Sequence, residues 1–155
     1  MTIQLSTLIA NYPTQSKEQL FSELKGEWPS LINEDNYKNT CAIRLSIALL
    51  KSGIKIPAQY REAISGENDN LIIKVKTMSD FLTDTLGAPF WGMSKQPGQT
   101  LDLATTVPGP GILAYHVKWK NATGHFDLWD GQRFIGTGNS EHVKEGYELT
   151  LWQLN

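Results

Sequence analysis

The chain contains a single cysteine, and its position favours nucleophilic chemistry. Cys41 begins a stretch, residues 41–52, that is apolar on nearly every face and stops at Gly53, a pattern typical of a buried helix. The first N–H groups of a helix and the helix dipole favour an anion such as a thiolate. Such surroundings lower the pKa of a thiol from about 8.5 and activate it. Cys41 is therefore a candidate nucleophile, although most free cysteines are small buried hydrophobes.

A nucleophilic cysteine needs a general base, and the three histidines differ in their surroundings. His125 follows Gly124 at the start of a short apolar stretch, where a strand end would hold it rigidly and leave it open to solvent. His116 is predicted to lie within a strand and His142 in a polar loop, and we expect both to be structural or surface residues. His125 is therefore the predicted base.

A hairpin is predicted directly after the histidine-bearing strand. The pair Asp130-Gly131 lies between two β-like stretches and favours a two-residue turn, because both residues tolerate positive φ. The resulting register pairs Trp129 with Gln132 and His125 with Gly136. The cross-strand neighbour of the predicted base would then have no side chain.

The group that orients the histidine must therefore come from elsewhere. Asp127 lies on the same strand face as His125, about 6.6 Å along the strand, and a carboxylate there could orient or stabilise the imidazole. A bulge at Gly136 could instead bring Thr137 or Asn139 to the histidine. We rank Asp127 first among these three candidates.

The remaining pattern predicts an α+β fold with helices packed on an antiparallel sheet. A capping box at Ser16 and Gln19 predicts an early helix, and Ser79 is expected to cap a later one. Residues 90–111, rich in proline and glycine, are expected to form a long surface loop. Strands with period-two alternation follow. Because no linker separates two cores, residues 1–155 are predicted to form one domain.

Composition excludes several classes of function. The 14 Lys and Arg residues against 16 Asp and Glu residues give a net charge of −2 without a basic run, so nucleic-acid binding is not expected. No apolar window is long enough for a membrane span, and no signal-peptide pattern opens the chain, so we expect synthesis in the cytosol. No Cys/His cluster has metal-site spacing, so neither a metal nor a cofactor is expected.

Two motifs in this order resemble the fourth family of type VI secretion amidase effectors. They are residues 39–46 (Asn-Thr-Cys-Ala-Ile-Arg-Leu-Ser) and residues 124–131 (Gly-His-Phe-Asp-Leu-Trp-Asp-Gly). The resemblance covers most of the chain after residue 35. It implies a papain-like cysteine amidase fold with Cys41 as nucleophile and His125 as base, the same pair that the residues themselves indicate. The family usually has an aspartate where the predicted hairpin places Gly136, so this chain departs from the family there.

The resemblance also implies a substrate and partners. The substrate would be bacterial peptidoglycan, cut in the stem peptide between D-glutamate and meso-diaminopimelate. The type VI secretion apparatus would deliver the protein into the periplasm of a rival cell, and a cognate immunity protein would plug the cleft.

N–H groups at the start of the Cys41 helix would stabilise the oxyanion. Arg44 would pair with an internal carboxylate, a structural role that we favour over binding of substrate carboxylates.

Two other classes of function stay open at this point. The first is another papain-like cysteine enzyme, a deamidase or transglutaminase that acts on proteins. The second is a non-catalytic domain that binds the cell wall, in which Cys41 is only a core residue. Thiol reactivity near pH 6 would separate the second class from an enzyme, because a buried structural cysteine is inert.

Overall fold

The computed structural model describes residues 3–34, 37, 39–60, 70–117, 124–136 and 143–155. Within these ranges it has five α-helices and four β-strands, together with short 3₁₀ turns. In chain order the elements are α1 (Leu5–Asn11), α2 (Lys17–Leu24), α3 (Cys41–Lys51), α4 (Val75–Leu86), β1 (Trp91–Ser94), α5 (Leu103–Thr106), β2 (Gly111–His116), β3 (Gly124–Trp129) and β4 (Glu148–Gln153). The predicted α+β class is confirmed. No helix of the described ranges is long and apolar enough to cross a bilayer.

The four strands form one antiparallel sheet in the order β1-β4-β2-β3. In this sheet β3 is an edge strand whose paired neighbour is β2, with His125 opposite Tyr115 and Asp127 opposite Leu113. His125 and Asp127 therefore project from the same face of the edge strand, as the sequence predicted. An edge strand leaves room for other elements to approach the histidine.

The sheet separates two apolar clusters. On one face the strands pack against α1, α3 and α4, and the residues at the centre of this contact are fully buried: Leu8, Leu45, Met78, Ala114 and Phe126. The other face is covered by α5 and its flanking segments, which pack on Leu113, Tyr115, Leu149 and Leu151. Fully burying a large apolar side chain contributes roughly 1.5–3 kcal/mol. The first cluster thus holds α3 firmly against the sheet.

The N-terminal helices follow their sequence signals closely. Ser16 Oγ accepts the N–H of Gln19 at 3.1 Å, so Ser16 caps α2 as predicted. The Gln19 side chain donates to Glu23 at 3.1 Å, so only the Ser16 half of the capping box is seen. Helix α3 begins at Cys41, as expected, and ends one residue before Ser52. Its buried residues lie on most sides, because α1, α4 and the sheet surround it.

Two segments are organised differently from the prediction. Ser79 does not cap a helix, since α4 already begins at Val75, whose side chain packs into the core together with Met78. Residues 90–111 are not one long loop, because they contain β1 and α5. Pairing with β4 and burial of apolar side chains determine these elements, and local sequence pattern carries neither signal.

The turn after β3 lies one residue further along the chain than predicted. The N–H of Asp130 donates to the carbonyl of Arg133 at 3.1 Å, which makes Gly131 and Gln132 the central residues. Oδ1 of Asp130 accepts the N–H groups of Gln132 and Arg133 at 2.8 Å each, so this side chain fixes the turn. Gly131 takes the position with positive φ, 104°, which glycine adopts without strain.

This shift corrects the predicted register by two residues. Trp129 bridges to Phe134, so the predicted pairing of His125 with Gly136 is wrong. Gly136 instead approaches Asp127, and its N–H donates to Oδ1 of that carboxylate at 2.7 Å. Because the shift is an even number of residues, no side chain changes face.

Candidate active site

The packing of α3 against β3 brings the predicted nucleophile and the predicted base together. Cys41 is the first residue of α3 and His125 the second residue of β3, and both are buried, with 2% and 7% of their surfaces exposed. The thiol lies close enough to the imidazole to raise the pKa of His125. The helix start and the strand start, far apart in the sequence, thus supply the two halves of one site.

Asp127 stands beside this pair, two residues after the histidine on the same strand. Its Oδ2 lies 3.4 Å from Nε2 of His125, a long hydrogen bond. Its Oδ1 accepts the N–H groups of Leu128 and Gly136, both at 2.7 Å. These two donors fix the direction of the buried carboxylate. Since Nε2 faces Asp127, Nδ1 is the ring nitrogen left for the thiol.

Gly136 makes room for the carboxylate. A Cβ atom at this position would lie 2.8 and 2.9 Å from the two carboxylate oxygens of Asp127 and 2.9 Å from Cε1 of Tyr12. Such contacts are too short for any side chain without a shift of the neighbours. Thr137 and Asn139, the other candidates for orienting the histidine, lie outside the described residues.

The electrostatics of the site favour a protonated histidine. Burial alone would lower the pKa of His125, but the hydrogen bonds with Asp127 and Cys41 and the charges of these two groups outweigh it. The pKa of His125 is therefore raised to about 9. An imidazolium next to a thiol and a carboxylate can stabilise a thiolate and can later donate a proton.

Arg44 organises the segment that precedes α2. Its Nε donates to Oγ1 of Thr40 at 2.9 Å, and its Nη1 donates to the carbonyls of Pro13 and Gln15 at 3.1 and 2.8 Å. The predicted structural role fits these contacts, but the expected carboxylate partner does not occur among the described residues. Arg44 therefore connects residues 13–15 to helix α3 through neutral oxygens.

Tyr12, next to this segment, is a site residue that sequence reasoning missed. Its hydroxyl is buried and has no hydrogen-bond partner among the described residues. Burial raises the pKa of Tyr12, and the negative charges of Asp127 and Cys41 raise it further. The hydroxyl therefore stays protonated as a donor close to the site. No pattern around Tyr12 in the sequence pointed to this position.

The backbone N–H of Cys41, one of the N–H groups at the helix start that are expected to stabilise the oxyanion, has a partner within the chain. It donates to Oδ1 of Asn39 at 3.2 Å. The side chain of the neighbouring Thr40 makes no cap bond to the helix. The Asn39 side chain is thus part of the site.

His116 takes no part in the site. It lies on β2, partly exposed, with its Nε2 4.0 Å from a carboxylate oxygen of Glu148. His142 lies outside the described residues. In the part of the chain that the structure describes, no group of three or more His, Cys, Asp or Glu side chains could hold a metal ion.

In this chain, a helix that starts with a buried cysteine packs on an antiparallel sheet that carries a histidine. This arrangement is the papain-like fold, and solved structures match the chain over its whole length. The type VI effector-immunity complex Tae4-Tai4 from Salmonella Typhimurium matches with a TM-score of 0.82 and 23% identity, covering 100% of both chains. The type VI effector Tae4 from Enterobacter cloacae matches with a TM-score of 0.81 and 24% identity, covering 100% of this chain and 98% of that chain.

The family follows from the sequence itself. Residues 37–152 match the family model of the type VI secretion system (T6SS) amidase effector protein 4, Tae4. Because this match spans most of the chain, the protein belongs to the Tae4 family of type VI secretion amidase effectors. A comparison with curated proteins found no match.

Proposed function

We propose that the protein is a cysteine amidase that cleaves the bond between D-glutamate and meso-diaminopimelate in peptidoglycan stem peptides, and that residues 1–155 form its single domain. One observation carries the proposal: in a member of an amidase effector family, the His125 imidazole lies 3.4 Å from the Asp127 carboxylate and also interacts with the Cys41 thiol. Cys41 would be the nucleophile and His125 the acid and base. Asp127 would be the residue that positions His125.

In the first half of the reaction, the Cys41 thiolate attacks the D-glutamyl carbonyl carbon. A carbon–sulfur bond forms, and the carbonyl electron pair moves to oxygen. When the tetrahedral intermediate collapses, the carbon–nitrogen bond breaks, and Nδ1 of the His125 imidazolium gives its proton to the departing amine. The products are a thioester on Cys41, a free diaminopimelate amine and a neutral imidazole.

In the second half, the neutral His125 takes a proton from water, and the resulting hydroxide attacks the thioester. The carbon–sulfur bond breaks, the carboxylic acid leaves, and the thiolate–imidazolium pair is restored. Asp127 keeps Nε2 protonated and the ring in one orientation throughout. No step in this cycle uses a cofactor.

Delivery and protection belong to the same proposal. As a member of a secreted effector family, the protein would pass through the type VI secretion apparatus into the periplasm of a rival cell, where peptidoglycan is exposed. The producing cell would need a cognate immunity protein that covers the cleft. Crystals of the Salmonella Typhimurium and Enterobacter cloacae relatives contain the immunity protein Tai4, which supports a partner of this kind.

The experiment that tests this function is digestion of purified peptidoglycan, followed by chromatography and mass spectrometry of the fragments. Wild type, Cys41→Ala and His125→Ala are compared, and His116→Ala serves as a histidine control outside the site. Wild type and His116→Ala are expected to release fragments cut at the D-glutamyl to diaminopimelate bond, and the other two variants are expected to release none.

Each contrary outcome has a definite meaning. If wild type leaves peptidoglycan intact although its thiol is reactive, the substrate assignment fails and a deamidase or transglutaminase acting on proteins replaces it. If Cys41→Ala still cuts, the cysteine mechanism is wrong.

A further inference from the structure

The side chain of Asn39 spans the two elements that carry the nucleophile and the base. Its Oδ1 accepts the N–H of Cys41 at 3.2 Å, and its Nδ2 donates to the carbonyl of Gly124 at 2.9 Å. Cys41 lies two residues after Asn39, and His125 directly follows Gly124. One amide group thus contacts the backbone of the nucleophile on one side and the backbone next to the base on the other.

A local role explains only half of this arrangement. An asparagine that accepts the N–H of the residue two positions later forms an Asx turn, which commonly precedes a helix. Serine provides a similar turn, so the contact with Cys41 alone would not require an amide. The bond from Nδ2 to Gly124 is different, because it joins segments 85 positions apart and ends on the histidine strand.

The position of this bond matters because β3 is an edge strand. Among the described residues, the only strand paired with His125 is β2, so no second strand fixes its other edge. The apolar contacts that hold α3 on the sheet are non-directional. A hydrogen bond with two defined ends is directional and adds a specific constraint between the two elements.

We propose that Asn39 is a positioning residue that sets the relative placement of the Cys41 thiol and the His125 imidazole. This inference rests on the proposed function, since it assigns Asn39 to the same nucleophile and base pair. Without the bond to Gly124, the start of β3 moves relative to the start of α3. The imidazolium then stabilises the thiolate less well. A displacement of about 1 Å can cost a reaction about 100-fold in rate.

Two variants separate the two halves of the Asn39 contact. Asn39→Ser keeps a hydroxyl that can accept the N–H of Cys41 but is too short to reach the carbonyl of Gly124. Asn39→Ala loses both contacts. Asn70→Ser is the matched control, because Nδ2 of Asn70 donates to the carbonyl of Ile56 at 2.9 Å, a bond of the same kind away from the site.

The measurement is the rate of alkylation by iodoacetamide as a function of pH on the full chain, with unfolding by urea recorded for each variant. Cys41 is the only cysteine of the sequence, so the signal reports one thiol. We expect Asn39→Ser and Asn39→Ala to react about tenfold more slowly than wild type near pH 6, where only a thiolate reacts. Peptidoglycan turnover should fall with them, and Asn70→Ser should match wild type in both measurements.

The outcomes distinguish this inference from the proposed function. If wild type reacts near pH 6 and Asn39→Ser reacts equally fast, the positioning role is wrong while the Cys41 and His125 pair stands. If Asn70→Ser loses as much reactivity as Asn39→Ser, the effect is general destabilisation and the role is again wrong. If wild type itself reacts no faster near pH 6 than a cysteine in an unfolded peptide, the nucleophile and base pair fails and this inference fails with it.

Discussion

Asp127 faces the histidine that stands two residues before it on the same strand, with its Oδ2 3.4 Å from Nε2 of His125. The carboxylate keeps this direction because Leu128 and Gly136 donate their N–H groups to its other oxygen. Both side chains are therefore carried by one edge strand. The adjacent segment contributes a backbone N–H and the space that a glycine leaves.

The first prediction concerns the charge of this carboxylate. In Asp127→Asn, the amide oxygen can still accept the two backbone N–H groups, but its NH₂ group then faces Nε2 of His125. That nitrogen must become an acceptor, which disfavours the imidazolium. We expect turnover of peptidoglycan fragments to fall by roughly 100- to 10,000-fold, as for a buried aspartate replaced in this way in a serine protease.

Asp130→Asn is the matched control for this measurement. Asp130 also accepts two backbone N–H groups, but it lies in the exposed turn. Its replacement is expected to leave turnover within about twofold, since exposed groups contribute little. Retention of wild-type turnover by Asp127→Asn would show that another group orients His125.

The second prediction concerns the space at Gly136. Gly136→Ala places a methyl group 2.8 and 2.9 Å from the carboxylate oxygens of Asp127, so the carboxylate must move away from its donors. We expect the free energy of unfolding to fall by about 1–3 kcal/mol. Turnover should fall by about tenfold or more, because the contact with the base is lost.

Gly109→Ala supplies the comparison. The methyl group there would meet the amide end of the Gln153 side chain at 2.6 Å, and that flexible group can rotate away. Urea denaturation and turnover assays of both variants check the prediction. Equal behaviour of the two variants would mean that Gly136 has no particular relation to Asp127.

The sequence predicted those parts of the candidate site that depend on local sequence patterns. A buried helix that starts at Cys41 and a strand that starts just before His125 were visible from hydrophobic patterning. Their contact is confirmed by the structure, although patterning gives no distance between a helix and a strand. The placement of Asp127 on the same face as His125 depends on the period of two along a strand, which the one-residue error in the turn did not affect.

The parts that were missed depend on tertiary contacts. The sequence pattern predicts Asp130 as one of the two central turn residues. In the structure Asp130 precedes them, and its side chain accepts N–H groups from the turn, so the register of the hairpin shifts by two residues. The strand β1 forms because its main chain pairs with β4, and no local sequence pattern predicts this pairing. The bond from Asn39 to Gly124 has the same character, since its two ends are joined only in the folded chain.

The third prediction concerns Arg44, which binds three oxygens from two segments. Lysine keeps the charge but lacks the planar fork that reaches these oxygens together. Arg44→Lys is therefore expected to lower the free energy of unfolding by about 1–3 kcal/mol, because buried carbonyls lose their donors.

In the control Arg133→Lys, the pair with Asp130 at 3.6 Å is mostly exposed. Urea denaturation should show a change of less than about 1 kcal/mol there, and equal losses in both variants would contradict the role of Arg44.

The fourth prediction is a pH dependence of stability. The pKa of His125 is raised from 6.5 to about 9 in the folded chain, so the folded state holds this proton more tightly than the unfolded state does. The stabilisation is complete below pH 6.5 and is lost as pH rises through about 9. We expect the free energy of unfolding to fall by on the order of a few kcal/mol over this window. In His125→Gln this part of the slope should be absent, and an identical slope in urea titrations of both proteins would contradict the assignment.

The fifth prediction is the pH dependence of the reaction. Below about pH 9 the imidazolium of His125 can protonate the departing amine, and above it the neutral ring has no proton to give. We expect kcat/KM for peptidoglycan fragments to decline above about pH 9, well above the pKa of an ordinary histidine at about 6.5. The decline should move to lower pH in Asp127→Asn, because the carboxylate contributes to the raised pKa of His125. Initial rates measured by mass spectrometry across this range check both statements. A basic limb near pH 7 in the wild type would mean that Asp127 and the thiolate do not hold the proton on His125 during turnover.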